Sequence, residues 1–131
     1  FAMYCSAAKP VDAVVGLVQD RPPPQPGWVD HYAARLGLPV VARAGEFFLR
    51  QSAAAAGLGA TLLPCFIGDG DSRLRRFCDP VPELDEEAFM LLRDQPGAPA
   101  GIKAVADKVF EIFRANSARL SGVAYTVQPP A

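Results

Sequence analysis

Hydrophobic positions along this chain fall into short runs separated by glycine and proline, and each run carries a period that names its structure. Residues 1–6 alternate aromatic and small side chains, the pattern of a strand. Residues 13–18 are apolar throughout apart from Gly16, short and rich in β-branched side chains, which predicts a strand buried on both faces. The run Arg21-Pro22-Pro23-Pro24-Gln25-Pro26-Gly27 ends regular structure and predicts a stiff surface connection. Residues 28–36 predict an amphipathic helix with Trp28, Tyr32 and Leu36 on one stripe, ended by Gly37. A strand follows at 40–43, and an alanine-rich helix at 47–56 is closed by Gly57. Residues 58–63 read as a buried strand stopped by Pro64. Further strands are expected at 74–77 and 88–92. Residues 102–113 give the strongest helical pattern, with Ile102, Val105, Ala106, Val109, Phe110, Ile112 and Phe113 on one face. From Ser117 onward the chain reads as a frayed tail.

Strand and helix alternate almost throughout. That order predicts an α/β architecture, parallel strands joined by right-handed helical crossovers and a sheet covered on both faces. At 131 residues the chain has room for one modest core, and its 50% hydrophobic and 21% charged composition excludes global disorder. The formal net charge of -1, with both signs interspersed, provides no basic patch able to grip a phosphate backbone. No apolar run approaches the roughly 20 residues that cross a bilayer. Cys5, Cys65 and Cys78 lie far apart, and the single histidine, His31, has no partner at metal-ligand spacing, so no metal or cofactor is expected. An odd number of cysteines in strand-like contexts fits reduced thiols in a cytoplasm. Because Phe1 opens directly inside a strand, the chain reads as a fragment of a longer protein.

The segment richest in information is FFLRQSAAAAGLGATLLPCF, from Phe47 to Phe66. It predicts a helix, a Gly-x-Gly turn, a buried strand and a proline that turns the chain out of the sheet. Gly57 serves the helix end, Gly59 a close backbone approach. Pro64 then marks the C-terminal end of the strand, the edge at which open α/β sheets bind ligands.

A helix followed by Ala-Gly-Leu-Gly, a hydrophobic strand and Leu-Pro resembles the effector-binding domain of LysR-type transcription regulators. Neighbouring features keep the same order. Met3-Tyr4-Cys5-Ser6 resembles the strand crossing between the two lobes, and Leu74-Arg75-Arg76-Phe77 the segment after the Leu-Pro turn. Glu87-Ala88-Phe89-Met90-Leu91-Leu92 resembles the strand that precedes the final helix. The resemblance covers residues 1–116, leaving 117–131 as a tail. It implies a two-lobed fold similar to periplasmic binding proteins, with about 7–62 in the second lobe and 74–113 returning to the first. It further implies a small-molecule effector between the lobes, a homodimer or higher homo-oligomer, a cytoplasmic location and no membrane partner. Contact with DNA would come only through a helix-turn-helix outside this chain.

By position, the resemblance points to Tyr4, Cys5 and Ser6 on the crossover strand, Gly45, Glu46 and Phe47 at a helix start, and Pro64, Cys65 and Phe66 at the turn as the ligand-binding wall. Glu46 places a carboxylate at the positive end of the helix dipole. This predicts a neutral, aromatic or amine-bearing effector rather than a dicarboxylate. A solute-binding fragment of the same fold is the alternative, and a secretory leader upstream in place of a helix-turn-helix would distinguish it. An enzyme is not expected, because Cys65 has no base in reach in the sequence and no nucleophile, base and oxyanion donors converge. Asp69 and Asp71 read as a solvated turn rather than a calcium loop. Glu83, Asp85, Glu86 and Glu87 read as a solvated face.

Overall fold

The computed structural model describes residues 1–17, 27–92 and 100–123. The proline-rich run 21–26 and positions 124–131 of the expected tail lie outside the described residues.

The chain forms β1 (Ala2–Ser6), β2 (Val14–Gly16), α1 (Trp28–Leu36), β3 (Val40–Arg43), α2 (Phe47–Ala55), β4 (Thr61–Leu63), α3 (Cys65–Gly68), β5 (Leu74–Arg76), α4 (Ala100–Ala115) and α5 (Ser117–Leu120), with a 3-10 turn at Pro82–Leu84. It is an α/β protein. β1 lies between β4 and β5 and runs antiparallel to both, with Ala2 opposite Leu63 and Ser6 opposite Leu74. β2 pairs in parallel with β3, and Val14 also meets Ala60, just before β4, in a parallel bridge. It follows that β2, β3, β4 and β5 all point one way and β1 alone points the other. A parallel or mixed sheet with flanking helices was expected, with helical crossovers between the parallel strands. They are found from β2 to β5, where a helix separates each strand from the next. β1 and β2 are joined by a loop without a helix, and β1 is the strand that departs.

Alternation along β1 sorts side chains to two faces. Met3 and Cys5 join Val14, Ala60 and Leu62 beneath Val29 and Ala33 of α1. Ala2 and Tyr4 join Leu63, Cys65 and Leu74 beneath Ala54 of α2. The sheet is therefore covered on both faces. On α1 the stripe that faces the core is Val29–Ala33, while Trp28 and Tyr32 stack at its rim with centroids 4.8 Å apart, and Leu36 stays exposed. Gly59 passes so close to β2 that a side chain there would meet the Ala13 carbonyl oxygen at 2.7 Å, which explains the second glycine of the turn.

Two expectations fail. Residues 88–92 form no strand, and Phe89, Leu91 and Leu92 are exposed. A wholly apolar run becomes a strand only against a sheet edge, and none of the described strands pairs with it. The residues after Ser117 do not all fray. α5 is helical, packs on α3, and is held through Gly122, whose carbonyl accepts a bond of 2.8 Å from Arg76 Nη2. On α4, Ala106 is buried while Ile102, Val105, Phe110, Ile112 and Phe113 are exposed, so this helix forms with its apolar face uncovered. Among the described residues no helix is long and apolar enough to cross a membrane.

Candidate functional site

Because β2, β3 and β4 run parallel, their C-terminal ends share one edge of the sheet. The chain leaves β3 at Arg43 and enters α2 at Phe47, which sets the N-terminus of α2 at that edge. β1 starts there too, since Ala2 lies opposite Leu63 at the end of β4. Gly45, Glu46, Phe47 and Pro64 thus lie at the same end of the sheet as Phe1, whose ring is 6.3 Å from that of Phe47 and tilted by 41°. Gly45 and Glu46 are exposed, Phe47 partly so, and Pro64 is buried.

The other expected wall residues are distributed differently. Ser6 lies at the opposite end of β1, five residues or roughly 17 Å from Phe1, and its Oγ accepts a bond from the Ala8 N–H. Cys5 faces the α1 side of the sheet, where burial pushes its thiol pKa up, and its Sγ lies 3.8 Å from the Arg75 carbonyl oxygen. Tyr4 faces the α2 side. It is fully buried over Gly68, with its hydroxyl donating to Asp69 Oδ1 at 2.7 Å and lying 3.4 Å from the Cys65 carbonyl oxygen. Burial, and then the bond to Asp69, raise the Tyr4 pKa far above that of a free tyrosine. Asp69 also receives two bonds from Arg76, at 2.9 and 2.6 Å. Tyr4 and Cys65 therefore belong to a closed polar cluster that fastens α3, β5 and α5 together. Phe66 is half exposed beside it.

Asp71, the other carboxylate of the loop, accepts from Arg73 and from Gln51 Nε2, and the hydrogen bond from Arg73 holds its pKa far below the carboxylate range. Both loop carboxylates are thus tied to arginines. Among the described residues no group of three or more His, Cys, Asp or Glu side chains could hold a metal ion. A surface groove of about 690 Å³ runs beside α4, lined by Asp107, Phe110, Glu111, Arg114 and Ala115, none of which is an expected site residue.

The residue that sequence reasoning missed is Arg50. It is 1% exposed, the largest fully buried side chain described. Its Nη1 donates to the carbonyls of Ala44 at 3.0 Å and Gly45 at 2.7 Å, and its guanidinium sits 4.9 Å from the Phe47 ring centre. Its Nε meets no acceptor. Burial lowers the Arg50 pKa while the Glu46 carboxylate raises it, yet guanidinium groups stay charged in proteins. Among the described residues Arg50 forms no ion pair. Magnitudes decide how to read this. Two bonds from a cation to carbonyls contribute about 1.5–3 kcal/mol each, and a cation over an aromatic ring about 0.5–2 kcal/mol. Against them stand several kcal/mol for burying an ion and about 1–3 kcal/mol for an unmet buried donor. The positive end of the α2 dipole opposes a cation as well. The local arrangement roughly breaks even, with the Glu46 carboxylate compensating the charge from beyond ion-pair distance. A helical reading places Arg50 and Ala54 four residues apart on one stripe, so an arginine on the core-facing stripe was the available signal.

No family model, no curated protein and no solved structure matches this chain.

Proposed function

We propose that this chain is the effector-sensing and association module of a LysR-type transcription regulator, with a small molecule recognised at the α2 mouth. The observation that carries the reading is the unit from Phe47 to Pro64. The helix, Gly57 in the left-handed region at φ 79°, the close-packed Gly59, the buried β4 and the turn at Pro64 occur in that order beside the lone antiparallel β1. This order supports the reading because it is the segment on which the resemblance rests. The remaining described segments, with α4 carrying an uncovered apolar face, fit the returning part of a first lobe.

In this reading effector binding biases the relation between lobes, and that bias reaches DNA through a domain outside this chain. The module is not an enzyme, works in the cytoplasm and associates with copies of itself. The coding sequence upstream of Phe1 tests the assignment. A helix-turn-helix followed by a linker helix supports it, and a secretory leader overturns it in favour of a transport protein.

A further inference from the structure

We propose that α4 and α5 form an arm that swings away from the sheet as one unit, released at a clasp where Arg76 of β5 holds the Gly122 carbonyl. The proposal goes beyond the sensing role above and stands without it.

The arm is one continuous piece. Asn116, between the two helices, donates its backbone N–H to the Ile112 carbonyl at 3.1 Å and its Nδ2 to the same carbonyl at 2.8 Å. Its own carbonyl accepts from the N–H groups of Arg119 and Leu120, both at 3.0 Å, so α5 is built on the last turn of α4. Attachment to the sheet is narrow by contrast. Among the described residues, neither hydrophobic core cluster holds a residue beyond Leu84, and of the α4 side chains only Ala106 is buried. α4 packs on α5, and α5 on α3. A segment with so little buried apolar contact belongs to the low end of local stability and opens ahead of the core.

Release leaves the catch intact. Arg76 Nη2 donates to the Gly122 carbonyl at 2.8 Å and also to Asp69 Oδ2 at 2.6 Å, while Arg76 Nε donates to Asp69 Oδ1 at 2.9 Å. Asp69 in turn accepts from the Tyr4 hydroxyl. When Gly122 leaves, Arg76 keeps Asp69 and the freed carbonyl meets water, so opening strands no buried donor or acceptor. The seat itself demands glycine. Gly122 has φ 77°, and a Cβ there would stand 2.7 Å from Cys65 Sγ and 3.0 Å from Arg76 Nη2. Gly122 therefore lies against the Cys65 thiol, and opening of the arm uncovers it.

The test uses a contrast already present in the chain. Cys5 and Cys65 are both 1% exposed, but Cys5 is enclosed in the core beneath α1, whereas Cys65 is closed over by the arm. The full chain is treated with N-ethylmaleimide under native conditions, the modified cysteines are read by peptide mass, and amide exchange of residues 2–6 and 117–122 is followed in parallel. Cys65 is expected to react at least tenfold faster than Cys5, with the amides of 117–122 exchanging ahead of those of β1. Gly122→Ala disturbs the seat from the arm side. It is expected to speed Cys65 at least fivefold and to leave Cys5 and residues 2–6 unchanged. Equal rates at Cys5 and Cys65 in the wild type, a comparison that needs no variant to fold, would mean that the arm opens only with the whole fold and overturn the proposal. A Cys65 rate indifferent to G122A overturns it too, as does acceleration of Cys5, Cys65 and β1 by one common factor.

Discussion

Replacing Tyr4 by phenylalanine isolates one hydroxyl in a closed cluster, and the structure sets both the size and the pH dependence of its effect. At neutral pH, Y4F removes a partly buried bond of 2.7 Å to Asp69. A hydrogen bond to a charged group contributes about 1.5–3 kcal/mol. Asp69 keeps both bonds from Arg76, so the lower end applies, about 1.5 kcal/mol. Burial and the Asp69 carboxylate hold the folded-state pKa of Tyr4 well above its ordinary value of 10.0. A raised folded-state pKa stabilises the fold fully below the unfolded value, and that contribution is lost as pH rises beyond it, because the unfolded chain releases the proton first. At pH 11, one unit above the unfolded pKa, the loss is about 1.4 kcal/mol. Urea unfolding of wild type and Y4F at pH 7 and pH 11 reads it directly. The Y4F penalty is expected to shrink from about 1.5 kcal/mol to nearly nothing. Other tyrosines, thiols and lysines titrate alike in both proteins and cancel. A penalty of the same size at both pH values would refute the reasoning, since the hydroxyl would then titrate alike folded and unfolded.

Three further outcomes follow from the packing. Gly68→Ala places a methyl 2.3 Å from the Tyr4 ring and is expected to cost about 1–3 kcal/mol in denaturant unfolding, with Y4A relieving part of it in a double-mutant cycle. Asp71 has a depressed folded-state pKa, so its contribution is present above about pH 4 and is lost as pH falls towards the folded value. D71N is therefore expected to flatten the acid limb of the stability curve, and an unchanged limb would refute the Arg73 and Gln51 contacts. Val105→Ser, on the exposed face of α4, is expected to change monomer stability by less than about 0.5 kcal/mol while weakening concentration-dependent association in light scattering. Unchanged association would show that the exposed face of α4 takes no part in self-association.

Local structure was legible wherever the signal was local. α1 begins and ends at the expected residues, and Gly37 and Gly57 take the left-handed conformation that their helix ends need. Strand direction was not legible, because it depends on which distant segment supplies the hydrogen bonds. β1 carries nothing in its own five residues to say that β4 and β5 will run against it. The same limit governs the run 88–92, whose apolar pattern describes a fit to a sheet edge and not the presence of one.

At the site, proximity in sequence misled most. Tyr4, Cys5 and Ser6 are adjacent in the chain, yet the period of two sends Tyr4 and Cys5 to opposite faces and the rise of the strand carries Ser6 to its far end. Arg50 was hidden for the opposite reason. An arginine in an alanine-rich helix reads as surface decoration until the stripe it shares with Ala54 is found to face inward.

The placement of β1 has a consequence for how the polypeptide acquires its shape during synthesis. Its pairing partners lie near residues 61–63 and 74–76, so a segment made well before either is completed only when both have been made. Until Arg76 has left the ribosome, residues 2–6 have only one of their two neighbours, and the cleft between β4 and β5 waits to be filled by a strand already tens of residues behind. Assembly thus closes backwards, from later residues onto earlier ones. Contacts of such long sequence separation slow folding, and a nascent chain halted short of β5 would present an unpaired strand edge to whatever lies nearby.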